Sequence, residues 1–284
     1  LEIVSEPDMR SPAEARAYLT ELKLLLEYLG VSDCNMEQGS LRVDANVNLH
    51  IHTPEGKVPT PIVEIKNMNS FRAVERALEF EEKRQLRVWG EKQQRLGDVP
   101  KQTRGWHDKV QVTKAQRGKE DSSYYCYFPD PDLVPVITTA EQVEEVRSSL
   151  GTLPRQLREQ LVETHGISAY DAEVLVSGGR SVTQYYLQLA QAVGDGKLAA
   201  NWVTQAVFSA LKDREETIDA FPLSAARLAE LLQAIASGDL DNSRSREVFD
   251  QMLSSGQSAA QAMQELGIEK VDDAELEKLC RELL

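Results

Sequence analysis

GSLRVDANVNLHIH (residues 39–52) alternates strictly, with Leu41, Val43, Ala45, Val47 and Leu49 on one face and Arg42, Asp44, Asn46 and Asn48 on the other. A period of two is that of a half-buried strand. After a turn containing Pro and Gly (53–61), IVEIK (62–66) sets Val63 and Ile65 against Ile62, Glu64 and Lys66, as an antiparallel partner does, so the two runs predict a long hairpin. Ser11-Pro12-Ala13-Glu14 reads as a capping-box start with Pro at the first helical position. Leu19, Leu22, Leu26 and Leu29 then recur at helical spacing up to Gly30, which gives a helix to cover the sheet. Asn69-Ser70 opens a second helix running to about Val88, followed by short strand-like runs at 110–115 and 124–128. YFPDPDLVP (127–135) continues neither structure, because its three prolines remove donors and fix the backbone.

From about Glu141 strand signals nearly vanish. Helices are expected near 141–149, 154–164, 169–176, 181–193, 197–211, 224–236, 243–254, 258–266 and 272–283, with Gly166, Gly194, Gly238 and Gly267 as stops. Phe221-Pro222-Leu223 is the expected internal boundary. The fold class is therefore α+β: an antiparallel-sheet domain over 1–137, an all-α domain over 138–221 and a helical tail over 222–284. The chain opens LEIVSEPD without a Met, and Ile3 and Val4 read as the end of a strand whose pairing neighbour precedes Leu1. It closes inside an amphipathic pattern, ELEKLCRELL, so the tail is expected to be incomplete as well.

With 284 residues, 41% apolar and 27% charged, the composition is that of a folded protein of about two domains. No run approaches the ~18 apolar residues of a membrane span. Cys34, Cys126 and Cys280 are scattered without metal-ligand spacing, which fits reduced thiols and a cytosolic or organelle-matrix setting. A net charge of −14 argues against a general electrostatic grip on nucleic acid. The exception is KQTRGWHDKVQVTKAQRGK (101–119), with six basic residues against Asp108 alone: either a solvated loop or the place where a polyanion is met.

The polar face of the hairpin, Arg42, Asp44, Asn46, Asn48, Glu64 and Lys66, with Glu37 just before it, faces water in an ordinary sheet. It also has the chemistry of a shallow cradle, where carboxylates hold Mg²⁺ and Arg42 and Lys66 neutralise phosphate oxygens. Neither Gly-rich phosphate loop is present, nor GxSxG or HExxH, and His50 and His52 lack a third ligand.

LEIVSEPDMRSPAEA, GVSDCNMEQGSLRVDANVNL, EIKNMNSFRAVERALEFEEKRQ, QTRGWHD and YFPDPDLVP, in that order and followed by AYDAEVL and AANWV, resemble the B subunits of aspartyl/glutamyl-tRNA(Asn/Gln) amidotransferases. The resemblance implies a cradle domain, a helical domain and a YqeY-like tail. It implies a ligase that uses ATP and Mg²⁺ to phosphorylate the side-chain carboxylate of Glu or Asp on misacylated tRNA(Gln) or tRNA(Asn). Ammonia from a glutaminase A subunit, with a small C subunit in the complex, then completes the amide. It implies Glu2 as a metal-site glutamate with Glu37 beside it, and Glu64 as a third acidic catalytic group. Arg42, Lys66, Arg117 and Lys119 are the candidates for nucleotide binding. Arg104 and Lys114, with Arg244 and Arg246 in NSRSRE, are those for tRNA. Tyr124 and Cys126 stand where the family has Asp and Arg. The other readings are a non-catalytic RNA-binding or assembly module and an Mg²⁺-dependent phosphotransferase acting on a small carboxylate.

Overall fold

The structure is a computed structural model and describes residues 1–116 and 131–268. The chain forms two compact units, Leu1–Leu150 and Gly151–Leu284. The expected strand near 124–128, the last helix (272–283), and Arg117, Lys119, Tyr124, Cys126 and Cys280 lie outside the described residues.

In the first unit, α1 (Pro12–Tyr28) starts where predicted, the Ser11 hydroxyl accepting from the Glu14 amide. Helix α2 (Phe71–Lys92) starts likewise, with Ser70 accepting from Ala73. Both lie over a four-stranded sheet of order β1 (Ala45–Val47), β4 (Val63–Lys66), β5 (Gln102–His107), β6 (Val112–Ala115). Leu19, Val63, Ile65, Met68, Ala73, Val74, Ala77 and Trp106 make the core, flanked by Val43, Ala45 and Val47. The alternation of 43–47 thus points the way the sequence predicts. Pairing is antiparallel for β1–β4 and β5–β6 but parallel for β4–β5. A parallel pair needs a crossover, and α2 supplies it. Residues 1–6 are exposed and have no regular structure, so the strand expected there is not formed; none of the described residues pairs with them.

The predicted hairpin is broken in two. Ala45 opposes Ile65 and Val47 opposes Val63, whereas β2 (His50–Thr53) pairs with β3 (Gly56–Pro59) as His50 with Pro59, in a separate ribbon. Asn48 and Leu49 therefore face three residues, Thr60 to Ile62, a one-residue slip of the bulge type. Thr60, 3% exposed, holds the joint. Its amide donates to Leu49 O (2.8 Å), and its hydroxyl accepts from Leu49 N (2.8 Å) and donates to Gln85 Oε1 of α2 (2.7 Å). Gln85 Nε2 returns a bond to Val47 O (3.1 Å). Thr60→Val keeps the shape and strands both hydroxyl partners, so a loss of about 1–3 kcal/mol is expected in urea unfolding. An unchanged midpoint would show that water replaces the hydroxyl.

Helix α3 (Ala140–Ser149) ends the first unit and is exposed along its whole length. The second unit holds α4 (Pro154–His165), α5 (Ala169–Ser177), α6 (Arg180–Val193), α7 (Gly196–Asn201), a π-helical stretch (Trp202–Val207), α8 (Phe208–Arg214), α9 (Ala225–Ala236), α10 (Ser245–Ser255) and α11 (Ala259–Glu265). Gly166 and Gly194 end α4 and α6 at φ of 63° and 76°, the left-handed stop that favours glycine. The expected break at 221/222 does not divide this unit. Tyr185 of α6 donates to Leu223 O (2.9 Å), its ring meets Phe221 edge-on, and Gln233 of α9 donates to Ala192 O (2.9 Å). Among the described residues no helix is long and apolar enough to cross a membrane.

Candidate functional site: the open face of the sheet

Val63 and Ile65 are buried at 2% and 0% exposure, which turns Glu64 and Lys66 to the opposite face of β4. Register carries that face across the sheet. Asn46, Glu64 and Thr103 form one row, and Lys66, Gly105 and Lys114 the next. Glu64 accepts from the Thr103 hydroxyl (3.0 Å), and Lys101 stands 3.7 Å from its other oxygen. The Lys66 ammonium lies between Asp44 (2.6 Å) and Glu64 (3.4 Å). Lys114 is exposed beside Gly105, and Arg42 is exposed just before β1.

Partial burial pushes the Glu64 carboxyl up, but the Thr103 hydroxyl and the Lys101 and Lys66 ammonium groups outweigh it and hold it below the ordinary carboxylate value. The Asp44 hydrogen bond, against some desolvation and with help from both carboxylates' charge, raises Lys66. The pair is therefore ionised throughout the neutral range. A depressed carboxyl contributes stability that is present above its unfolded value and lost as pH falls through the folded one. The stability difference between the wild type and Glu64→Gln is accordingly expected to be steady at neutral pH and to vanish on acidification below the ordinary carboxylate range. A difference that persists at acid pH would contradict the ion-pair assignment.

The metal ligands expected from the sequence both lie outside the sheet. Glu2 is exposed in the unstructured start, and Glu37 is exposed in a turn, its amide bonded to Asn35 Oδ1 (2.9 Å). Among the described residues no three His, Cys, Asp or Glu side chains are grouped so as to hold a metal ion. Among the described residues no ready-made three-ligand cation site is therefore present, and no catalytic step is routed through one.

Arg104, expected from the sequence as a tRNA contact, lies on the helix side of the sheet. It lies in register with Ile65, so its side chain enters the helix side of the sheet and is 15% exposed. There it donates to the Thr113 hydroxyl (2.8 Å) and carbonyl (2.7 Å), with Glu81 of α2 3.7 Å away. Glu81, fully buried, also accepts from Arg84 (2.9 Å) and from Thr113 (3.0 Å). Burial and the neighbouring Arg84 pull the Arg104 guanidinium below its usual value, Glu81 offsetting part. This network ties α2 to β5 and β6, which carry Thr103 and Lys114 on the open face.

In the second unit, Arg244 donates to Leu266 O at the end of α11 (3.2 Å) and pairs with Glu247 (3.3 Å). Arg246 lies over the Phe249 ring and 3.6 Å from Asp250. Both remain partly exposed while bracing the bundle. Sequence reasoning missed Thr103 as a partner of Glu64, because QTRGWH shows no clean alternation; its threonine and lysine neighbours were the available signal.

Residues 1–144 match the GatB/GatE catalytic domain, and residues 184–284 match the GatB domain that accompanies it. The whole chain is 55% identical to the B subunit of the aspartyl/glutamyl-tRNA(Asn/Gln) amidotransferase of Rhodopirellula baltica and 41% identical to those of Chlorobium phaeobacteroides and Moorella thermoacetica. It covers 57–58% of the length of these relatives. The open polar face lies within the part that matches the catalytic domain, and the chain belongs to the GatB/GatE family.

Proposed function

We propose that this chain is part of the B subunit of a tRNA-dependent amidotransferase, and that its open sheet face serves the phosphorylation step. The observation that carries the reading is the chain of polar contacts from Asp44 through Lys66 and Glu64 to Thr103, inside the catalytic-domain match. In the proposed reaction, a side-chain carboxylate oxygen of Glu (or Asp), esterified to tRNA(Gln) or tRNA(Asn), attacks the γ-phosphorus of ATP. ADP leaves with the bridging oxygen and its electron pair. Ammonia then attacks the acyl phosphate, inorganic phosphate departs and a proton is released, leaving the amide.

A free carboxylate is a poor acyl donor because oxide is a poor leaving group, and the acyl phosphate removes that obstacle. Lys66, kept charged by its two carboxylates, neutralises oxygens of the transferring phosphoryl group, while Thr103 and Lys101 fix Glu64 and with it the ammonium. Arg42 and Lys114 border the same face. Glu2 and Glu37 are assigned no step. Mg²⁺ would stabilise the triphosphate as a Lewis acid. The partners in this reading are a glutaminase A subunit, a small C subunit and misacylated tRNA, in the bacterial cytoplasm.

The test uses the complete amidotransferase with ATP and Glu-tRNA(Gln) but no glutamine. ADP release that depends on the aminoacyl-tRNA, with a hydroxamate formed on adding hydroxylamine, is expected. ATP turnover indifferent to aminoacyl-tRNA, or no hydroxamate, would overturn the reading.

A further inference from the structure

We propose that the outward face of α2 is a phosphate-backbone contact surface for RNA, formed by Arg72, Arg76, Lys83 and Arg87. With 3.6 residues per turn, these positions fall within an arc of about 60° and span about 22 Å of helix. The arc lies opposite the buried positions Ala73, Val74, Ala77, Glu81 and Gln85, and all four cations are exposed. The ion pairs that α2 does make use other residues: Glu75 with Arg16 of α1, and Glu81 with Arg84 and Arg104. Among the described residues none of the four outward cations is in an ion pair. Glu79, three residues after Arg76 and four before Lys83, is the carboxylate set among them, and it too is exposed.

Arg72 with Arg76, and Lys83 with Arg87, are like charges four residues apart, an arrangement that weakens a helix. A line of phosphates relieves that repulsion, and three of the four cations are arginines, whose planar fork matches phosphate oxygens. In a chain of net charge −14, a local row of this kind decides where a polyanion can approach. The choice of RNA over an acidic protein rests on the amidotransferase reading above, whose substrate is a tRNA.

The test is binding of fluorescent, uncharged tRNA(Gln) to the assembled full-length enzyme across a salt series, without ATP. Changing all four cations to Gln keeps helix-forming residues on the surface. The slope of log K against log salt is expected to become shallower by about 3, since each lost phosphate contact accounts for roughly 0.7–0.9. Arg76→Gln and Lys83→Gln alone should each remove one such increment, which keeps the measurement readable where the quadruple variant does not assemble. Glu79→Gln should tighten binding. An unchanged slope overturns the proposal, and an unchanged slope with loss of the complex on gel filtration marks the row as a protein interface instead. Because the tRNA is uncharged, failure of hydroxamate formation with a shifted slope removes the functional reading and leaves the row. Hydroxamate formed with an unchanged slope does the reverse.

Discussion

Glu81→Ala is expected to lower the stability of the first unit by about 3–5 kcal/mol, the range for removing one member of a buried ion pair. Glu81 is the carboxylate between two guanidinium groups, Arg84 and Arg104, each with a side chain no more than 15% exposed. Without it, two largely desolvated cations face each other, and Arg84 already lowers the Arg104 value with the carboxylate present. The Thr113 hydroxyl loses its acceptor as well. Urea unfolding of the full-length protein reads the effect as a shifted midpoint with an unchanged slope. Glu81→Gln keeps the shape but not the charge, so it should fall near the alanine variant. A glutamine variant close to wild type would show that hydrogen bonding, and not charge, holds the network.

In the assembled enzyme, Lys66→Met is expected to lower kcat for amide formation by roughly 10²–10³, the usual result of removing one preorganised group aimed at developing charge. Stability should fall by no more than about 1 kcal/mol, because Lys66, Asp44 and Glu64 are all partly exposed and such pairs contribute little. Glutamine hydrolysis by the glutaminase should be untouched. The separation of these readouts is what identifies a chemical role. An unchanged kcat would make Lys66 a surface pair and no more.

Much of the fold was legible because local rules and tertiary packing agree. Val43, Ala45, Val47, Val63 and Ile65 alternate and are the residues that meet the helices. Ser11 and Ser70 cap the helices that the sequence starts at them. What was not legible depends on distant partners. Strand β5 carries an arginine on its helix side, whose compensation by Glu81 lies in another element, and an open-face glycine, so its alternation is disguised. The slip at Thr60 leaves clean alternation on either side and shows only in the pairing. Phe221-Pro222-Leu223 looks like a linker, yet Tyr185 closes over it. For the site, Glu64 and Lys66 could be named from parity alone. Glu2 came from resemblance and Glu37 from its place just before the hairpin, and the described residues bring neither into a metal-holding group with Glu64.

The one-residue slip at Thr60 separates two jobs that a continuous hairpin would couple. In an unbroken ladder, the turn sets the register of everything below it, and adding or removing a residue at the tip would invert Glu64 and Lys66 into the core. Here the register of β1 and β4 is held from the side, by Thr60 and by Gln85 of α2. A change in the length of the ribbon His50–Pro59 is thereby expected to leave the charged row beneath it in place.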